Sequence, residues 1–273
     1  DNVANTYFAQ AREYVPGVGR FAGEDWIKGK IYYPQTINVY LYCLANSLKF
    51  YDPTGLDCYV FYDETNFSRQ AADEASRISN YWRTKVNLIS VDSNKDFQEV
   101  WNKIEDGNVE EISLLFHGQP QALIINEGEN SFLTISDEVI SSKGRSGLPI
   151  KDLKSIEMKR LNIMSCNTGY LNHKDNVATK FLKTQNAMEV YSWDGSVVYN
   201  KMFGFRDIGF GGYIPVLAKN QEYFKSWIKS DKKRKPFGRI VYTWDKDKMD
   251  IIVSTAYVGD RIQLKYPMCD GID

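Results

Sequence analysis

Histidine is scarce in this chain: 273 residues contain two, His117 and His173. Any chemistry that needs an imidazole must use one of them. Cysteine is scarce too. Cys43, Cys58, Cys166 and Cys269 lie far apart and form no CxxC pair. That pattern offers neither a zinc-ligand set nor a disulfide framework, so no metal is expected. Long apolar runs are missing. None approaches the roughly 18 residues of a membrane helix, and no membrane span is expected. The start, DNVANTYFAQAREY, has neither a basic opening nor an apolar core and does not read as a secretory signal. An excess of charge of either sign is also lacking. A net charge of −1 gives no general case for nucleic acid or an anionic membrane as partner. Hydrophobic residues at 43% and charged residues at 25% mark an ordinary globular chain, long enough for one large domain or for one domain plus an appendage.

Two segments organise what is present. Glu111–Gly118 reads EISLLFHG and Arg160–Gly169 reads RLNIMSCNTG. Each reads as a short buried strand that runs into a reactive residue and a glycine. Apolar runs bounded by turn signals suit central strands of a parallel sheet. Open parallel sheets hold their ligands beyond the carboxyl ends of the strands. Side by side, these two strands bring His117 and Cys166 to one crevice, the minimum equipment for thiol nucleophilic catalysis. Gly118 admits a close substrate backbone and offers an N–H to a developing oxyanion; the Cys166 N–H is the expected second donor. His173, in the loop after Cys166, is the alternative base.

The surrounding pattern agrees with such a sheet. Cys58–Tyr62 reads as a strand. Phe67, Ala71, Ala75, Ile78 and Trp82 have helical spacing within Thr65–Trp82. Val86–Val91 is a second strand, and Asp92 or Ser93 caps a helix through Ile104. The third strand ends at His117. This β-α-β-α-β order predicts a doubly wound unit. Ala122–Asn126 and Ser131–Ile135 read as a hairpin. Ser136–Ser142 and Lys151–Ser155 read as loop or short helix around the Gly/Ser-rich SSKGRSG. A helix is expected over about Lys174–Thr184 and a strand over Met188–Trp193. Phe203–Tyr213 reads as loop, Gln221–Lys229 as helical, and Arg239–Trp244 with Asp250–Thr255 as a hairpin.

Residues 1–56 differ in composition, with tyrosine, glycine and asparagine around frequent turns. Alone they read as short β-hairpins with Gly/Pro turns. Their motifs run R-x-Y-x-P-x-x-G-R-F from Arg12, then Glu24-Asp25, then N-x-Y-x-Y-x-x-x-N from Asn38, then Asp52-Pro53-Thr54-Gly55-Leu56. Over residues 9 to 56 this order resembles the conserved core of Rhs/YD-repeat proteins. In that family the core closes a β-cocoon around a variable C-terminal toxin and ends in a self-cleavage site. The resemblance implies cleavage between Leu56 and Asp57, with Asp25 and Asp52 as the acid pair. Two carboxylates that share a site can hold one proton and activate water. The alternative is that Asp52-Pro53-Thr54-Gly55 is a plain turn.

From about residue 57 to 200, L-L-F-H-G and N-I-M-S-C-N-T-G resemble the two motifs of caspase-like cysteine peptidases. There one strand ends in His-Gly and the next core strand ends in the nucleophilic cysteine. The resemblance implies Cys166 as nucleophile, His117 as general base and acid, and no required third member. It also implies that Asp194, after the strand following Cys166, selects Arg or Lys before the scissile bond; a plain Asp194-Gly195 turn is the alternative. Some toxin protease domains of this group are activated by inositol phosphate on a basic C-terminal hairpin. Lys232, Lys233, Arg234 and Lys235 lie in a comparable region, and a solvated charged turn is the alternative.

The expected fold class is therefore α/β: a caspase-like, doubly wound and mostly parallel sheet with helices on both faces, preceded by a small β-hairpin Rhs-core segment. Residues 1–56 form the end of the core and 57–273 the peptidase domain. The expected function is a secreted or translocated toxin that cleaves proteins in the target-cell cytosol, where Cys166 stays reduced. Its expected partners are the protein substrate, the rest of the cocoon and a cognate immunity protein. Two other readings keep the fold: a Cys–His acyltransferase or deamidase, and a non-catalytic binding module.

Overall fold

The computed structural model describes residues 7–9, 12–23, 40, 57–105, 109–128, 130–142, 144–202, 212–219, 221, 235–245, 249–256 and 262–264. Strands β1 (Tyr7–Ala9), β2 (Arg12–Val15) and β3 (Arg20–Phe21) form a small antiparallel meander. Its Pro16–Gly19 turn closes when the N–H of Gly19 donates to the Val15 carbonyl at 2.9 Å. Gly19 has φ +66°, where glycine avoids the Cβ clash. The hairpin expectation for this stretch holds for the described part.

The main body is mixed α/β. Strands β4 (Asp57–Tyr62), β5 (Val86–Ser90) and β6 (Val109–Leu115) alternate with helices α1 (Glu64–Trp82) and α2 (Asn94–Asn102). A side layer follows, made of β7 (His117–Gln119), β8 (Ala122–Asn126), β9 (Ser131–Thr134), β10 (Ile140–Ser142) and β11 (Arg145–Pro149). The chain returns through β12 (Glu157–Ile163), α3 (Val177–Thr184) and β13 (Asn186–Asp194). A separate hairpin, β14 (Val197–Met202) with β15 (Gly212–Leu217), precedes β16 (Gly238–Asp245), β17 (Asp250–Thr255) and β18 (Gln263–Leu264). The large sheet has the order β5-β4-β6-β12-β13-β16-β17-β18. Its first five strands are parallel, and the last three add on antiparallel.

The local chemistry explains these elements. In β4, Tyr59 and Phe61 join the core on the α2/α3 face, while Cys58, Val60 and Tyr62 join the core under α1. A strand covered on both faces reads as an unbroken apolar run, as CYVFY does. Helix α1 starts where the Asp63 carboxylate accepts from the Thr65 N–H at 2.9 Å. It stops at Arg83 in the left-handed region. Of the two expected caps for α2, Ser93 is the one used, accepting from the Asp96 N–H. Asn176 and Thr179 form a reciprocal capping box on α3. Phe61, Phe97, Trp101 and Phe181 make a run of aromatic contacts between strand and helices, with centroids 5.0–6.0 Å apart. No described helix is long and apolar enough to cross a membrane.

Three stretches differ from expectation. The described residues of SSKGRSG belong to the β10–β11 hairpin, with Gly144 at φ +75°, and β11 also pairs in parallel with β9. Residues 197–202 and 212–217 form strands where none was expected after the Asp194-Gly195 turn. The main-chain N–H of Tyr213 donates to Asp73 of α1 at 2.8 Å, so that hairpin is tied to a residue 140 positions away. The run beginning at Glu111 is also less apolar than its burial implies. Glu111 is fully buried and accepts from Arg77, from Trp82 Nε1 at 2.8 Å and from Arg160 at 3.4 Å. Beside it, Glu74 accepts from Arg77, Ser113 and Asn162. Burial alone would raise the Glu74 carboxyl, but the charge and hydrogen bonds of Arg77 outweigh it and hold Glu74 below the usual range.

Removing one partner from such a buried network strands the others. Glu111→Ala is expected to lower unfolding stability by about 3–5 kcal/mol, read by urea denaturation. Because the folded pKa of Glu74 lies below its unfolded one, its contribution is present above the ordinary glutamate value of about 4.3. It disappears as pH falls through the folded value. Urea midpoints measured downward from pH 6 are expected to fall below that point, and to fall less steeply in Glu74→Gln.

Candidate active site

The site is built where β6 and β12 lie side by side in parallel. Leu114 pairs with Ile163 in their ladder, and the Met164 N–H continues it by donating to the Leu114 carbonyl at 2.9 Å. His117 lies three residues beyond Leu114, and Cys166 three residues beyond Ile163. The two reactive residues therefore leave the sheet at the same level. His117 does not end β6 itself. The chain passes Phe116 and His117 opens β7, paired with Ile124 of β8. Its ring packs on Phe67 of α1 with centroids 5.1 Å apart.

Gly118 explains why the two turns can touch. A Cβ there would stand 2.7 Å from Ser165 Cβ and Thr168 Cγ2, and 2.8 Å from the Cys166 carbonyl oxygen. Glycine permits this backbone contact and a larger residue does not. The Cys166 turn is fixed from the other side. Asn167 has φ +56°, and its N–H donates to the Gly195 carbonyl at 2.9 Å; the Gly169 N–H donates to the Trp193 carbonyl at 3.0 Å. Asparagine is among the few residues that tolerate the left-handed region, so the C-N-T-G string carried a turn signal.

The Cys166 thiol is half-buried against the start of β14. The Val197 N–H donates to Sγ at 3.2 Å, and Sγ lies 3.6 Å from the Val197 carbonyl oxygen. Burial pushes the thiol above its ordinary value, and the N–H groups of Val197 and of Cys166 itself offset this only in part. Strand β14 is held down in turn, because the Tyr199 hydroxyl donates to the Met164 carbonyl at 2.8 Å. Nothing in the sequence pattern pointed to Val197, which acts through its backbone.

His117 and Cys166 line one cavity of about 560 Å³, together with Gly118, Asn167 and Val197. Ile124 and Glu127 of the β8–β9 hairpin form part of its wall. His173 is absent from that lining and packs on Tyr170 at 5.2 Å. Cys58, the other described cysteine, is sealed in the core under α1, where burial raises its thiol well above the ordinary range.

Asp194 lies among backbone groups at the end of β13. It is fully buried, and its two carboxylate oxygens accept from the Leu171 N–H at 3.2 Å and the Phe237 N–H at 2.8 Å. It ties the loop after Cys166 to the approach of β16 and does not line the cavity. Among the residues of the expected self-cleavage site, Asp25, Asp52 and Leu56 lie outside the described residues. Asp57 is the first residue of β4, and its carboxylate accepts from the Tyr59 hydroxyl at 3.1 Å. Of the basic run, Lys232, Lys233 and Arg234 also lie outside them, and Lys235 is exposed ahead of β16.

Two outcomes are expected. Gly118→Ala forces the Cys166 turn aside at a cost of about 1–3 kcal/mol, seen as a lower melting temperature. A raised thiol pKa means less thiolate at any given neutral pH. Alkylation of Cys166 by iodoacetamide, followed by peptide mass spectrometry, is therefore slower than that of free cysteine from pH 7 to about 8.5 and climbs only above that.

A scan against protein-family models finds no match to this chain, and a search of curated proteins finds none either.

Proposed function

We propose that the chain is a cysteine endopeptidase with Cys166 as nucleophile and His117 as general base, on a sheet of caspase-like arrangement. One observation carries the proposal: His117 and Cys166 leave adjacent parallel strands at the same level and line one cavity. The finer fold assignment is supported by five parallel strands in the order β5-β4-β6-β12-β13, followed by antiparallel β16.

The chemistry follows from the local environment. A thiol whose partial burial raises its pKa stays protonated near neutral pH, so it needs a base at the moment of attack. His117 takes the Cys166 proton as sulfur bonds to the scissile carbonyl carbon. The resulting oxyanion is met by backbone N–H groups beside Gly118 and Cys166. The imidazolium then protonates the leaving amine as the C–N bond breaks, which leaves a thioester. Water, deprotonated by His117, hydrolyses the thioester and restores the thiol. The sulfur exchanges its Val197 contact for the substrate as it attacks.

The wider proposal is that residues 57–273 are an effector released from an Rhs-type protein, acting on proteins in a target cell and held in check by an immunity partner. The motif order in residues 9–56 supports it. A cut between Leu56 and Asp57 would release a chain that begins at the first strand of the main sheet.

The test is mass spectrometry with arginyl, lysyl, leucyl and aspartyl reporter peptides. Wild type is expected to cleave one or more of them. Cys166→Ala is expected to abolish cleavage, and His117→Ala to lower kcat by about 10²–10⁴ with folding retained. Cleavage that survives in Cys166→Ala sinks the proposal. So does modification of peptide side chains without backbone cleavage, which points instead to an acyltransferase or deamidase. Breakage at Leu56–Asp57 is expected in Cys166→Ala and not in Asp52→Asn.

A further inference from the structure

We infer that Glu127 is the residue that selects the substrate side chain, and that the side chain selected is basic, arginine or lysine. This deepens the peptidase proposal and rests on it. The role expected of Asp194 has no support in its position, because that carboxylate is buried on backbone N–H groups. Glu127 stands on the cavity wall instead. Among the described lining residues it is the one carboxylate, and none of them is a lysine or arginine.

The position of Glu127 is set by the fold. His117 pairs with Ile124, and Glu127 follows three residues later in the turn between β8 and β9. The turn closes as the Asn130 N–H donates to the Glu127 carbonyl at 3.2 Å, and the Asn126 side chain anchors it by donating to the Asp92 carbonyl at 3.1 Å. The Glu127 side chain is exposed, and among the described residues no cation is paired with it.

The rest of the wall suits a cation on a hydrocarbon stem. Ile124, Val197, Val198 and Ala218 supply apolar surface for methylene groups. An ammonium or guanidinium group brings several donors and no acceptor, which the exposed Glu127 carboxylate can answer. An acidic substrate side chain would meet a like charge, and among the described lining residues no lysine or arginine to offset it. A purely apolar one would gain nothing from the carboxylate.

The experiment has two arms on the full chain. In the first, Cys166 is alkylated with iodoacetamide at mildly alkaline pH in the presence of Ala-Ala-Arg-amide, Ala-Ala-Leu-amide or Ala-Ala-Asp-amide. Wild type is expected to be protected at least about fivefold better by the arginyl peptide than by the other two, and Glu127→Gln to lose that difference. Raising the salt concentration is expected to shrink it, because the pair is exposed. Equal protection by the three peptides, or arginyl protection undiminished in Glu127→Gln, overturns the inference. The second arm is the reporter assay. Glu127→Gln is expected to lower the arginyl-to-leucyl ratio of kcat/KM by about tenfold. Arginine-selective protection without cleavage of any reporter removes the peptidase proposal and keeps the cation site. Cleavage that favours the leucyl or aspartyl reporter in wild type removes the cation site and keeps the peptidase proposal.

Discussion

The pairing of β6 with β12 is the constraint on which the candidate site depends. A parallel ladder sets the relative height of everything beyond its last rung. Here the Leu114–Ile163 rung places His117 and Cys166 level, and the Met164 N–H extends the pairing toward them. The pairing is buried on both faces. Phe97, Trp101 and Phe181 press on one side, and Phe67, Ala71 and Ile78 of α1 on the other. Such a sheet cannot slip by one residue without turning its apolar side chains to the wrong face.

A second layer of control lies in what touches the two turns. Gly118 meets the Cys166 turn at backbone distance, a contact that the absence of a Cβ permits. On the far side, the Val197 N–H holds the thiol sulfur while burial keeps it protonated. The site thus holds a protonated thiol and an imidazole on one cavity wall. Under the proposed chemistry, its reactivity depends on what enters the cavity rather than on a standing thiolate.

The network around Glu74, Arg77, Glu111 and Arg160 shows a different use of burial. Each charge is expensive inside the protein unless its partners are in place. Helix α1, β6 and β12 each contribute a member, so the network ties the helix to the two strands that carry the site. Arg160 stacks on Tyr81 and Tyr191, and Arg239 stacks on Tyr191 from β16. The ion pairs therefore fix how α1 crosses the sheet, which an apolar contact would leave freer.

Residue pattern alone determined the elements whose signal is local. The unbroken run of β4, the helical spacing in α1 and α2, the hairpins β8–β9 and β16–β17, and the two strands bearing His117 and Cys166 all follow from neighbouring residues. So did the choice of His117 and Cys166 as the pair to watch, since the chain holds so few of either type. Tertiary structure decided the rest, because the deciding contacts are distant in sequence. It brought Val197 onto the thiol and left His173 off the cavity wall. Asp194 was drawn into the backbone, and Glu127 was set on the wall through the pairing of His117 with Ile124. It also folded residues 197–202 and 212–217 into a hairpin held by Asp73. A carboxylate looks the same in sequence whether it ends on buried N–H groups or at a cavity. Only the packing around it separates the two.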